Sequence, residues 1–232
     1  MFVGHLGAGL LVKRIEPRLN LGALFVAVLF ADILLWALVM LGAESPGESD
    51  AAGAARFLTF VFPYSHSLVS SILWSALAAA GGWLLAGPAA VRRTRLAWAL
   101  GIAVFSHFVL DLIVHVPDLP ILGQQSPKLG LSLWRIMPVA LTFELLLAGG
   151  ALAVYLQSRQ LSRGRRILAC GTVAVAAILT ASGPYIPGAL PPAGVMALSS
   201  LATLIVVAVL GFVVEGRVGI VANRQDMFAP RR

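Results

Sequence analysis

Residues Leu96–Val116, L-A-W-A-L-G-I-A-V-F-S-H-F-V-L-D-L-I-V-H-V, decide the fold class. Apart from Ser106, His107, Asp111 and His115 the stretch is apolar. It is long enough to cross a bilayer as a helix, which takes about 20 residues. Ionisable side chains inside a membrane are costly and rare, so those retained there are functional candidates by default. A step of four residues turns a helix by about 400°, so His107, Asp111 and His115 share one face with a drift of about 40° per step.

The rest of the chain matches that stretch. Its composition is 59% hydrophobic and 12% charged, with mean hydropathy +0.91; soluble domains carry about 25% charged residues. Apolar segments at 19–41, 57–86, 96–116, 133–156, 167–184 and 192–214 are each long enough to span. The run Met1–Val12 is too short to cross alone and suits a half-membrane or packed helix. It does not read as a cleavable signal, because Lys13-Arg14 follows the apolar run instead of preceding it. The expectation is an all-α, polytopic membrane helical bundle: six full spans plus a short N-terminal helix, forming one domain. Within it, residues 1–135 carry the motifs, 136–214 add further spans, and 215–232 form a tail.

The net charge is +7. Of the 17 basic residues, all except Arg56, Lys128 and Arg135 fall in alternate connections. They flank the first span (Lys13, Arg14, Arg18), separate spans two and three (Arg92, Arg93, Arg95) and four and five (Arg159, Arg163, Arg165, Arg166), or follow the last (Arg217, Arg224, Arg231, Arg232). This is a positive-inside pattern, predicting a multi-pass protein with a cytoplasmic C-terminus and no nucleic-acid partner. Cys170, the single cysteine, excludes an intrachain disulfide and reads as a small buried hydrophobe. Gly4, Gly7 and Gly9 fit close helix packing, not a dinucleotide loop.

On this topology the candidate metal donors His5, Asp32, His66, His107, Asp111, His115 and Asp118 lie between the bilayer centre and its outer face. Neutral imidazoles and carboxylates suit a divalent ion, Zn2+ first. Neutral His–Asp hydrogen bonding between helices is the competing explanation. P-Y-S-H-S predicts a helix start with Ser65 as its cap, where Tyr64, Ser65 and Ser67 can hold an anionic group. Arg135 is a substrate-side candidate or part of an outer basic belt. Asp111 and Glu144 are the candidate catalytic carboxylates, Glu144 equally a structural hydrogen-bonding group.

These residues resemble a known family. Gly4-His5, then Asp32, Ser65-His66-Ser67, Ser106-His107 with Asp111, and His115 with Asp118 in H-V-P-D-L-P follow the order of motifs in bacterial membrane-bound metal-dependent hydrolases, whose relatives are often labelled permeases. The resemblance covers roughly residues 1–135. It departs in two places. The family's P-D-x-D is A-D-I-L-L here, with one carboxylate, and its H-R-G-x-T-H-S is F-P-Y-S-H-S, without the upstream His and Arg. The resemblance implies a metal-dependent hydrolase of the bacterial inner membrane.

Together with the outward position of the polar layer, this predicts hydrolysis of a lipid or other amphiphilic (phospho)ester, with membrane lipids as surroundings. Residues 157–232 are left for packing, a homo-oligomer face or a lipid-facing wall. Two alternatives stand: a small-solute or ion permease using His/Asp relays, and a non-catalytic protein with a degenerate site. A metal-free lipid phosphatase is disfavoured. The chain lacks the guanidinium groups that clamp phosphate in that class, Gly101-Ile102 standing where Ser-Arg would be expected.

Overall fold

A computed structural model describes residues 1–86, 90–216 and 220 of the chain. Helix α1 (Val3–Ile15) is followed by α2 (Leu21–Val28) and α3 (Phe30–Met40). A hairpin, β1 (Ser45–Ala52) and β2 (Ala55–Val61), leads into α4 (Leu68–Leu85) and α5 (Ala90–Val114). A two-residue ladder, β3 (Leu119–Pro120) with β4 (Lys128–Leu129), precedes α6 (Met137–Ser158), α7 (Arg163–Ser182) and α8 (Ala193–Glu215). Five of these helices are long and apolar enough to cross a membrane, or six spans if the bent pair α2–α3 counts as one. Ile72, Leu77, Leu84, Trp98, Leu146, Ile178 and Val206 are exposed on their outer faces. Apolar surface on that scale suits hydrocarbon, not water.

The helical bundle expected from hydropathy is present, with three corrections. The first span is broken: α2 and α3 meet at 57°. The chain is not purely helical, because residues 57–61 of the expected second span form β2, paired antiparallel with β1. Aromatic and β-branched residues in R-F-L-T-F-V favour a strand, and Gly53 at φ +63° opens the two-residue turn between paired Ala52 and Ala55. The second span therefore begins only at Leu68, with Ser67, not Ser65, as the cap: its hydroxyl accepts from the Ser70 amide. Cys170 is exposed, on a face that α7 turns away from the bundle. The expected tail, apart from Glu215, Gly216 and Ile220, lies outside the described residues.

Helix α1 runs through the middle of the bundle. Val3, Leu6 and Leu10 are buried among Leu24, Phe25 and Val28 of α2, Ala148 and Ala151 of α6, and Val173 of α7. Lipid offers no hydrophobic drive between helices, so close packing of small residues must supply the association. Gly7 does this against α6, where an added Cβ would lie 3.1 Å from the Ala148 backbone. Gly22 and Gly211 do it between α2 and α8, where a Cβ on Gly211 would sit 2.7 Å from the Gly22 Cα.

At the end of the bundle carrying most of the arginines, Lys13 Nζ lies 3.0 Å from Glu215 Oε2 and donates to the Pro17 carbonyl at 2.9 Å. The other oxygen of Glu215 accepts from the Tyr155 hydroxyl at 3.0 Å. These contacts tie α1, α6 and α8 together. Glu16 and Arg18 form a pair nearby at 2.7 Å.

Candidate metal centre

The break between α2 and α3 shapes the site at the opposite end. It places Asp32 in the first turn of α3. The last carbonyls of a helix have no partner within it, and the Val28 carbonyl at the end of α2 accepts from His107 Nδ1 at 2.7 Å. Because a carbonyl only accepts, Nδ1 of His107 carries the proton and Nε2 presents a lone pair in the neutral ring.

His66 is set by a different device. Glu44, just ahead of β1, accepts from the Tyr64 and Ser65 amides at 2.8 and 2.9 Å and from the Ser65 hydroxyl at 2.6 Å. The single hydroxyl proton of Ser65 is thereby used, so the Ser65 oxygen accepts from His66 Nδ1 at 2.7 Å. His66 Nε2 is the bare nitrogen. His115 follows the same rule, with Nδ1 2.9 Å from Asp118 Oδ1. Three imidazoles are thus held at Nδ1 by an acceptor and point Nε2 inward, the arrangement by which surrounding groups orient histidine ligands to metals.

The inward atoms converge. His66 Nε2 and His107 Nε2 are 3.1 Å apart. Asp111 Oδ2 lies 3.1 Å from His107 Nε2 and 3.6 Å from His66 Nε2. Asp32 Oδ1 is 3.7 and 3.6 Å from the same two nitrogens. Bonds of 2.0–2.1 Å to a tetrahedral ion leave its ligand atoms about 3.3–3.4 Å apart, and these separations bracket that edge. Two trios, His66–His107–Asp111 and His5–Asp32–His107, can each hold a metal ion.

With both imidazoles neutral, every atom facing this point is an acceptor. Two lone pairs and two carboxylate oxygens repel one another unless a cation lies among them. A divalent ion with two carboxylates and neutral imidazoles is charge-neutral, as a buried site requires. His5 stacks on His107 with ring centroids 3.8 Å apart. Its ring is fully buried and neither nitrogen makes a hydrogen bond among the described residues, although Nε2 is 3.2 Å from Asp111 Oδ1. The Met1 amino nitrogen lies 3.4 Å from that same oxygen.

The structure therefore brings His5, Asp32, His66, His107 and Asp111 together. His115 stands at the edge, its Nε2 3.9 Å from Asp111 Oδ2, and Asp118 braces it from behind. Glu144 is buried on α6 and accepts from the Gly4 amide at 3.4 Å, beside the first turn of α1. Ser65 and Ser67 are committed to His66 and to the α4 cap. Tyr64 is exposed, with its carbonyl accepting from the Trp74 ring nitrogen. Arg135 lies 3.8 Å from Asp50 on the hairpin.

Asp32, His66, Asp111, His115 and Glu144 line one cavity of about 530 Å3. Its walls are otherwise mostly apolar: Leu35 and Trp36 of α3, Phe57 and Phe60 of β2, Leu141 of α6, Leu179 of α7 and Leu204 of α8. Helices α7 and α8, which carry little chemistry in the sequence, form one side of it. Sequence reasoning missed Glu44, the Val28 carbonyl and Arg56 of the cavity wall. None lies at a helical spacing from the histidines, and a backbone acceptor leaves no trace in residue identity. No protein-family model, curated protein or solved structure matches the chain.

Proposed function

We propose that the chain is a multi-pass, metal-dependent hydrolase of the bacterial inner membrane, of the family its motifs resemble, acting on an amphiphilic ester or phosphoester. The observation that carries this reading is the facing pair of bare nitrogens, His66 Nε2 and His107 Nε2, flanked by Asp32 and Asp111 at the wall of an apolar cavity. His66, His107 and Asp111 would hold the ion, Zn2+ on donor chemistry, with His5 and Asp32 completing a second trio around His107. A bound divalent ion supplies Lewis acidity and a water of lowered pKa. The Val28 carbonyl orients His107 through Nδ1 at 2.7 Å. Glu144, in the same cavity wall, is the group placed to take a proton. The apolar walls exclude bulk water and accept the substrate's chain. With the basic connections cytoplasmic, the cavity faces the outer leaflet.

A layer of buried Leu6, Leu10, Leu24, Phe25, Ala148 and Ala151 separates the cluster from Lys13 and Glu215. That layer favours a one-sided site over a His/Asp relay crossing the membrane. The test is elemental analysis of protein purified in detergent without added metal. About one equivalent or more of a divalent transition metal, lost in His107→Ala, is expected. Wild-type protein that takes up no metal even after incubation with Zn2+ overturns the reading.

A further inference from the structure

The same cavity holds a group whose role the metal does not explain. Arg56, on β2, is the lone lysine or arginine among the described residues lining it. Its guanidinium donates from Nη1 to the Gly188 carbonyl at 2.7 Å and from Nη2 to the Ile186 carbonyl. Those bonds fix the plane of the guanidinium by clipping the hairpin to the segment between α7 and α8. They use two of its five N–H donors and neutralise none of its charge. No carboxylate lies within ion-pair distance of Arg56 among the described residues. An oriented cation with spare donors is thus built into the wall of an apolar cavity. Ser49, Ser199, Ser200 and Thr203 add hydroxyls to the same wall.

We infer that Arg56 is the anion-recognising residue of this cavity and that its ligand is a phosphate-headed amphiphile, the phosphate held by Arg56 and the chain lying along Trp36, Leu141, Leu179 and Leu204. Guanidinium binds phosphate through parallel charge-assisted hydrogen bonds. A phosphate monoester keeps further oxygens free to face the His/Asp cluster, whereas a carboxylate has only two to share. A cavity of about 530 Å3 falls within the range of small-ligand sites, about 300–1,000 Å3. It therefore takes a headgroup and the nearer part of one chain. This inference rests on the cavity being the substrate site, and it replaces Arg135, Tyr64, Ser65 and Ser67 as the groups that read the substrate.

Trp36 and Trp134 line the cavity and report its occupancy. The experiment uses the full chain in phosphatidylcholine nanodiscs and titrates 11-bromoundecyl phosphate, reading bromine quenching of tryptophan fluorescence. The saturable part of the quenching, absent in Trp36→Phe/Trp134→Phe, measures binding. Arg56→Gln is expected to weaken binding at least about tenfold, the size of one charge-assisted hydrogen bond. Arg56→Lys should fall in between. Bromoundecyl trimethylammonium and 11-bromoundecanoate should bind more weakly than the phosphate, and Arg56→Gln should leave metal content unchanged. Equal binding of the phosphate by wild type, Arg56→Gln and Arg56→Lys overturns the assignment, as does tighter binding of the ammonium probe. Equal binding of the carboxylate overturns the phosphate preference. If His107→Ala lacks metal yet keeps an Arg56-dependent affinity, the anion site stands independently of the metal. If wild type binds no metal but Arg56 still governs phosphate binding, the hydrolase reading fails and this one survives.

Discussion

The two ends of the bundle each bury a cluster of ionisable groups, and they solve the same problem in opposite ways. At the arginine-rich end, donors and acceptors alternate. Lys13 meets Glu215 and the Pro17 carbonyl, and Glu215 in turn accepts from Tyr155 and Arg159. At the other end, acceptors face acceptors: His66 and His107 turn bare nitrogens toward each other, with Asp32 and Asp111 beside them. A cluster complete in itself is a fastening. A cluster whose imidazole and carboxylate lone pairs converge on one point is a candidate site.

The largest expected effect breaks the second cluster. Asp111→Asn or His107→Ala should abolish stoichiometric metal binding, read by elemental analysis, while His115→Ala should only weaken it, because His115 stands at the edge. Next comes the fastening. Lys13→Met leaves Glu215 buried with one cationic partner fewer and should cost about 3–5 kcal/mol in a denaturation measured in detergent. Lys13→Met combined with Glu215→Leu should recover much of that loss, and neither change should alter metal content. If Lys13→Met removed the metal as well, the two ends would not be separable.

A smaller effect sharpens the account of how the site is held. Ser65→Ala removes the acceptor for His66 Nδ1 and should lower metal affinity about 10–100-fold, the usual cost of losing such an orienting partner. Ser75→Ala removes a hydroxyl bonded only to its own helix at the Ser71 carbonyl and should leave affinity unchanged. Competition with a chromogenic chelator reads both.

The smallest concerns acid stability at the fastening end. Burial alone would raise the Glu16 carboxyl, but its hydrogen bonds and ion pair with Arg18 override this and hold it below its ordinary value of 4.5. A carboxyl with a depressed folded value stabilises the fold above its unfolded value, and the contribution is lost as pH falls through the folded one. Glu16 should therefore contribute fully at neutral pH and progressively less below about pH 4.5. The partly exposed pair limits the size to about 1 kcal/mol or less. Melting curves of wild type and Glu16→Gln should converge in acid and separate above it.

The helical bundle was readable because hydropathy and helical period belong to neighbouring residues. His107 and Asp111 sit on one face of α5 as their spacing predicts, and His115 follows one residue past the end of that helix with Nε2 3.9 Å from Asp111 Oδ2. Five long helices lie where apolar runs were found. Residues 57–61, the start of the expected second span, were misread, because a short apolar segment suits a strand or a helix equally until its partner is known. Ser65 was misread for a related reason: P-Y-S-H-S offers two serines as caps, and Glu44 claims the first.

The chain by itself determined the apolar helices, the basic connections and the inventory of imidazoles and carboxylates, all properties of local composition. Only the tertiary structure decided which nitrogen of His66 and of His107 is bare. That choice depends on acceptors remote in sequence: the Val28 carbonyl is 79 residues from His107, and Glu44 is 21 from the Ser65 that orients His66. It likewise decided that Arg56, and not Arg135, shares the cavity with the cluster, because a hairpin's tilt over a bundle is set by packing between distant segments.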